Sequence, residues 1–250
     1  MQLDLVTTPF SRYGSYLAVS LLEAGRLALR DLRGGDESPA EVFWLDPIRD
    51  GQLAAVQIDA TPERLVLQGD AGHQLEITFL ADGSLRITAQ GLGLRLTAIK
   101  SRYDSFYALN EQTWRYDLYT KEIKYLFELD CGHLAVDAPW QRVGNEHIVL
   151  DLNADAQSAI LRLTPFLTEP DRAGKPASPA LDFAAWRDRL LTSAARLPEA
   201  ADCDLAAYLL WGNTVHAAGR LVHDAVYMSK NRMQNIWSWD NAFIALALGR

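Results

Sequence analysis

The chain has 250 residues, is 49% hydrophobic and 22% charged, and carries a formal net charge of −8. That length buries a sizeable core and holds one large domain or two small ones. The acidic balance argues against nucleic acid as a partner, and no apolar run approaches the roughly 20 residues of a membrane-spanning helix.

The start, Met1 to Val6, has no basic n-region and no long apolar h-region, so no secretory signal is read there. Cys131 and Cys203 lie in segments of different pattern and suggest neither a disulfide framework nor a zinc set. A reduced, cytoplasmic protein is the expectation.

Residues 1–30 read as strands and turns. Leu17 to Leu22 is one apolar run, and Gly25 separates it from Leu27 to Arg30. Gly34-Gly35-Asp36 is a turn signal. Arg12 and Tyr13 have two readings, as ligand contacts or as plain strand-edge residues.

Residues 40–100 give the clearest β pattern. Val42 to Leu45 is one run, and Val56 to Ala60 alternates. Arg64 to Gln68 follows, with a turn at Gly69-Asp70. Leu75 to Phe79 and Leu85 to Ala89 alternate on either side of Ala81-Asp82-Gly83-Ser84, the strongest hairpin signal in the chain. Leu92 to Ala98 is a further strand. Strands at roughly ten-residue spacing argue for an antiparallel sandwich.

Residues 101–167 continue in β style and are dense in aromatics. Tyr103, Phe106, Tyr107, Trp114, Tyr116, Tyr119, Tyr125 and Phe127 fall in one short stretch. They read either as a carbohydrate platform or as filling between two sheets. Glu146 to Leu152 and Ala159 to Pro165 read as closing strands. His133 and His147 lack other ligand types at metal spacing, so no metal site is assigned.

Residues 168–181 form a proline-rich linker, with Pro170, Pro176, Pro179 and Gly174. The period then changes from 2 to 3.6. Asp182 is placed to cap a helix whose face is Phe183, Trp186, Leu190, Ala194 and Leu197, stopped by Pro198. Asp202 or Asp204 caps the next, with Leu205, Tyr208, Leu209, Gly212, Val215 and Val222 on one face. Gly212 and Gly219 would admit a neighbouring helix closely. His216 and His223 read as plain histidines. Residues 224–236 read as an irregular loop, of the kind that forms a substrate rim.

The loop leads into Trp237-Ser238-Trp239-Asp240-Asn241-Ala242-Phe243. Ser238 is a good N-cap, which puts Asp240 at the second helical position, where the helix dipole favours negative charge. Ile236, Phe243, Ile244 and Ala247 share its side, so the aspartate is expected to face packed groups. A carboxylate beside indole rings suits sugar, because hydroxyls need strong acceptors and sugar C–H faces stack on flat rings. The plainer reading is a helix start with core tryptophans. The final helix is still apolar in its stride near Arg250, so the chain is expected to be the N-terminal part of a longer protein. Gly249 as a C-cap is the alternative.

This stretch resembles the Trp-x-Trp-Asp-x-x-Phe motif of (α/α)6-barrel glycoside hydrolases, in particular the mannosylglycerate-hydrolase-like and glycoside hydrolase family 63 group, and is also trehalase-like. Family members often have His after the Phe, where this chain has Ile244. The resemblance implies an N-terminal antiparallel β-sandwich (residues 1–167), the linker 168–181, and the first helices of a truncated (α/α)6 barrel (182–250). It implies an inverting hydrolase of an α-linked glucoside, mannoside or short oligosaccharide. Its acid and base carboxylates would stand roughly 6.5–9.5 Å apart.

In such relatives the acid lies in a Ser-Gly-x-Asp-like stretch and the base is a later Glu. Neither motif is present here, so no catalytic residue is assigned and the fragment is expected to be inactive alone. Trp237, Trp239, Asp240 and Asn241 are the candidate sugar-binding residues. Lys230 and Arg232 are candidates for an acidic substrate group. The expected partners are a carbohydrate and the missing C-terminal part of the barrel. No cofactor, metal, nucleic acid or membrane is expected. The rival readings are a non-catalytic carbohydrate-binding or scaffold module, and a phosphorylase or transferase on the same fold.

Overall fold

The computed structural model describes residues 1–22, 25–36, 39–153, 158–167, 182–192, 200–231 and 233–248. Two eight-stranded sheets dominate it, and every strand pairing within them is antiparallel. The first runs Phe10–Ser11, Leu17–Leu21, Leu27–Asp31, Glu41–Arg49, Gly93–Ala98, Val149–Asn153, His133–Asp137, with Gln52–Leu53 beside Glu41–Arg49. The second runs Ser105–Asn110, Thr113–Leu118, Ile123–Cys131, Ala159–Phe166, Leu85–Gln90, Gln74–Phe79, Leu65–Gln68, Gln57–Ala60.

Side-chain alternation sets the register. Leu75, Ile77 and Phe79 lie opposite Ala89, Ile87 and Leu85, and all six are buried. A one-residue slip would turn this set to solvent. The hairpin closes at Gly83, whose φ is 80°, and Asp82 accepts bonds from the Ser84 amide and hydroxyl at 3.0 and 2.5 Å.

The inner faces meet in one apolar core. Phe43 of the first sheet lies 5.3 Å from Tyr116 and 5.8 Å from Phe127 of the second, measured between ring centroids. Such pairs each add about 0.5–1.5 kcal/mol beyond their buried area. The aromatic-rich stretch divides. Phe106, Trp114, Tyr116, Tyr125 and Phe127 fill the sandwich, while Tyr103, Tyr107 and Tyr119 are exposed.

A charge is buried at the same level. Asp31 is fully buried, paired with Arg33 at 2.6 Å and bonded by the Tyr125 hydroxyl at 2.8 Å. Burial alone would raise its pKa, but Arg33 and these hydrogen bonds together hold it below the ordinary carboxylate value.

Among the described residues three α-helices follow: α1 (Phe183–Thr192), α2 (Ala200–Asn213) and α3 (Ser238–Leu248). Asp182 caps α1, accepting the Ala185 amide at 2.8 Å. The linker 168–181, with Ala194, Leu197 and Pro198, lies outside the described residues. No described helix is long and apolar enough to cross a membrane.

The α2 helix differs from the sequence expectation at both ends. The helix starts at Ala200, so Asp202 and Asp204 lie within it and neither is its cap. Asp204 instead pairs with Arg187 of α1 at 2.5 Å. The buried side is Cys203, Ala207, Tyr208 and Trp211, while Leu205 and Leu209 are exposed. The helix ends at Asn213, and Val215 enters a short strand, Thr214–Val215, paired with Ala225–Val226. Val222 is 80% exposed in the following loop. Gly212 faces the Tyr208 ring of its own helix rather than a neighbour. The apolar spacing runs on past the helix end, which no proline marks.

The helical segment is seated on the first sheet. The Tyr208 hydroxyl donates to the Pro9 carbonyl at 2.8 Å and accepts from the Ser11 amide at 3.0 Å. Tyr16 donates to the His216 carbonyl at 2.6 Å. Arg12 lies over the Trp211 ring at 5.8 Å, and Tyr13 bonds Asp224 at 3.2 Å. Both residues therefore serve the contact between sheet and helices.

Candidate functional site

The loop from Tyr227 to Trp237 is fixed by side chains that reach back to the first sheet. Lys230 is 1% exposed, and its ammonium donates to the Ser11 hydroxyl at 3.0 Å and the Ser15 carbonyl at 2.5 Å. Arg30 donates to the Lys230 carbonyl at 2.9 Å. Burial drives the Lys230 pKa well below the ordinary lysine value, only partly opposed by Asp31. The ammonium is thus consumed inside the fold rather than offered at a rim.

Asp36 holds the next residues. Its carboxylate accepts the Gln234 amide and the Asn235 side-chain amide, the latter at 2.8 Å. Gly35 has φ 76°, and a Cβ there would fall 2.6 Å from Asn235 Oδ1. Only glycine combines that backbone with that approach. The Gly34-Gly35-Asp36 turn is therefore also the clamp on this loop, a role that turn chemistry alone does not signal.

The loop delivers the chain to α3. Ser238 is the first helical residue rather than the residue before it, and its hydroxyl makes no cap bond among the described residues. Asp240 is accordingly the third helical residue, still in the first turn. Asn241 ties α3 down: its side chain accepts the Val226 amide at 3.1 Å and donates to the Val226 carbonyl at 3.0 Å. Its amide group occupies the place of a neighbouring strand.

Trp237 and Trp239 are exposed by 47% and 69%. Trp239 meets Phe243 edge-on at 5.7 Å, and Phe243 is itself 64% exposed. The expected packed face around Asp240 is therefore not formed among the described residues. Ile236 and Phe243 are exposed, and Ile244 is only partly buried. The Asp240 carboxylate is half-buried and has no hydrogen bond or ion pair with any described residue.

Of the candidates, the structure groups Trp237, Trp239, Asp240 and Asn241 on one helix start. Lys230 lies beneath the sheet, and Arg232 is outside the described residues. Among the described residues no group of three His, Cys, Asp or Glu side chains is set to hold a metal ion. The arrangement can present flat apolar rings beside a free acceptor, which is the chemistry of a sugar ring with its hydroxyls. It holds no paired carboxylates for acid and base work.

No protein-family model matches the chain, and no curated protein matches it. Among solved structures it is similar to the family GH92 inverting mannosidase BT2199 from Bacteroides thetaiotaomicron, at 10% identity and a TM-score of 0.44, over 86% of this chain and 34% of that one. It is also similar to a bacterial glucoamylase complexed with acarbose, at 12% identity and a TM-score of 0.47, over 98% of this chain and 48% of that one. The chain thus spans between a third and a half of the solved chains it matches. At these identities and TM-scores the likeness assigns neither a reaction nor a substrate.

Proposed function

We propose that this chain is the N-terminal portion of an inverting glycoside hydrolase, supplying a β-sandwich and part of the sugar-binding subsite. The substrate class is an α-linked glucoside, mannoside or short oligosaccharide. One observation carries the reading: the Asp240 carboxylate has no hydrogen bond or ion pair with any described residue, and two exposed tryptophans, Trp237 and Trp239, precede it at the same helix start. A half-buried acceptor left unbonded favours a ligand that brings donors. The likeness of Trp237-Ser238-Trp239-Asp240-Asn241-Ala242-Phe243 to the glycoside hydrolase motif supports the same reading.

In this reading Asp240 accepts hydrogen bonds from two sugar hydroxyls, and Trp237 and Trp239 wall or stack on the ring. Asn241 acts indirectly, by fixing the helix start that aims Asp240. The general acid and the water-activating base belong to the remainder of the barrel, so this portion binds without turning over.

Calorimetric titration with methyl α-mannoside, methyl α-glucoside and maltotriose tests the proposal. Saturable binding of at least one, weakened tenfold or more in D240N, is expected. Equal binding by D240N would remove it. Binding that depends on residues of the sandwich alone would favour the non-catalytic module.

A further inference from the structure

The exposed tyrosines of the aromatic-rich stretch have no part in the site above. Tyr103 and Tyr119 are exposed by 49% and 65%, with ring centroids 5.4 Å apart and planes tilted by 53°. They line a groove of about 930 Å³ at the turn joining Thr113–Leu118 to Ile123–Cys131. Ligand pockets run from about 300 to 1,000 Å³, so this groove has room for a short oligosaccharide.

The platform is built rather than incidental. Asp104 is fully buried and accepts four bonds, from the Ser101 amide and hydroxyl, the Tyr119 amide and the Tyr116 hydroxyl, at 2.6 to 3.3 Å. One carboxylate therefore fixes the backbone beside Tyr103 and the backbone of Tyr119 together. Such locking lowers the ordering cost of binding. Asn145 and Gly144 close the same turn. The Asn145 amide donates to the Asp104 carbonyl at 3.2 Å, and a Cβ on Gly144 would fall 2.7 Å from that carbonyl.

The polar lining is mixed in sign. Glu122 is exposed; its amide donates to the Tyr119 carbonyl at 3.1 Å, and its side chain forms no hydrogen bond or ion pair with any described residue. Its φ of 55° is a conformation that side chains rarely adopt. That conformation closes the short turn at Tyr119–Lys121 and leaves the Glu122 carboxylate at the groove. Asp117 keeps acceptor capacity beyond its bond from Arg115 at 2.6 Å and a long contact with the Tyr107 hydroxyl. Lys124 spends one donor on the Leu167 carbonyl at 3.4 Å and has others to offer.

Two ring faces with acceptors and donors around them suit a neutral, hydroxyl-rich ligand. An anionic ligand would meet Asp117 and Glu122, and a cationic one would meet Lys121, Lys124 and Arg102, whose guanidinium lies over the Tyr103 ring at 5.7 Å. We infer that this groove is a second carbohydrate site, on the sandwich, which takes a neutral oligosaccharide across Tyr103 and Tyr119. It would hold a polymer or long oligosaccharide while another part of it is engaged elsewhere.

The test uses the whole chain carrying W239A and D240N, so that the α3 site is silent. Maltopentaose, an α-mannopentaose and an oligogalacturonate are titrated calorimetrically. Saturable binding of a neutral probe is expected, weakened at least tenfold by Y103A with Y119A and retained by Y119F. The exposed tyrosines leave the fold intact, which an unchanged thermal midpoint verifies. Absence of binding by both neutral probes would overturn the inference. So would an unchanged Kd without the tyrosines, or a preference for the oligogalacturonate. The α3 proposal stands or falls separately, since its own test is read in the unmodified chain.

Discussion

The Lys230 ammonium lies 3.0 Å from the Ser11 hydroxyl, bringing a residue of the late loop into the interior of the first sheet. No carboxylate touches it among the described residues. The charge is therefore held by neutral acceptors alone, and burial disfavours it.

A pH dependence follows. Lys230 has a folded pKa well below its ordinary value of 10.5. Between those two values the unfolded chain binds more protons than the folded one, so stability rises with pH there. The limiting slope is about 1.4 kcal/mol per pH unit for one proton. Urea midpoints measured from pH 7 to 9.5 should climb, and K230M should remove that part of the climb. Parallel curves for the two proteins would contradict the assignment.

Asp31 gives a slope of the same sign in a lower pH window. Its folded pKa lies below 3.8 because Arg33 and its hydrogen bonds outweigh burial. Its contribution is complete above the unfolded value and is lost as pH falls through the folded one. D31N leaves Arg33 without its carboxylate and should cost about 3–5 kcal/mol at neutral pH. The gap between wild type and D31N should narrow below about pH 4. Chemical denaturation across pH 2–7 checks both points.

Asn241 makes a structural prediction inside the candidate site. N241A removes both bonds to Val226 and leaves that amide and carbonyl unpaired, at about 1–3 kcal/mol. Hydrogen exchange should show the loss locally, as faster exchange of α3 amides with the sandwich strands unaffected. Uniform loss of protection would mean that α3 unfolds only with the whole chain.

The tryptophans should behave differently. Trp237 and Trp239 are largely exposed, so W237A and W239A should change stability by no more than about 0.5 kcal/mol. Each should nonetheless weaken binding of the α-glycosides in calorimetry. A large stability loss would return these residues to the core reading.

Much of the sandwich is legible in the sequence because period-2 alternation is written by burial on one face. The Leu75–Phe79 and Leu85–Ala89 runs carry it in full, and Asp82-Gly83 marks the turn between them. The helical segment is less legible. Val215 and Val222 continue the apolar spacing of α2, yet the chain leaves the helix at Asn213 because Thr214–Val215 pairs with Ala225–Val226. Long-range strand pairing leaves no local signal. The same limit applies to Lys230, which reads as a rim residue by its polar neighbours and is buried by contacts with Ser11 and Ser15, far away in sequence. Trp239 and Asp240 were legible as a pair, but not the exposure of the helix face around them.

The most direct test of the sugar site follows the indole N–H resonances of Trp237 and Trp239 by NMR while maltotriose or methyl α-mannoside is added. Both resonances should shift saturably, with the same Kd, and the shifts should vanish in D240N. Indole signals that stay fixed while either sugar binds, or that move equally in D240N, would contradict the assignment of Asp240 and its two tryptophans as a sugar-binding unit.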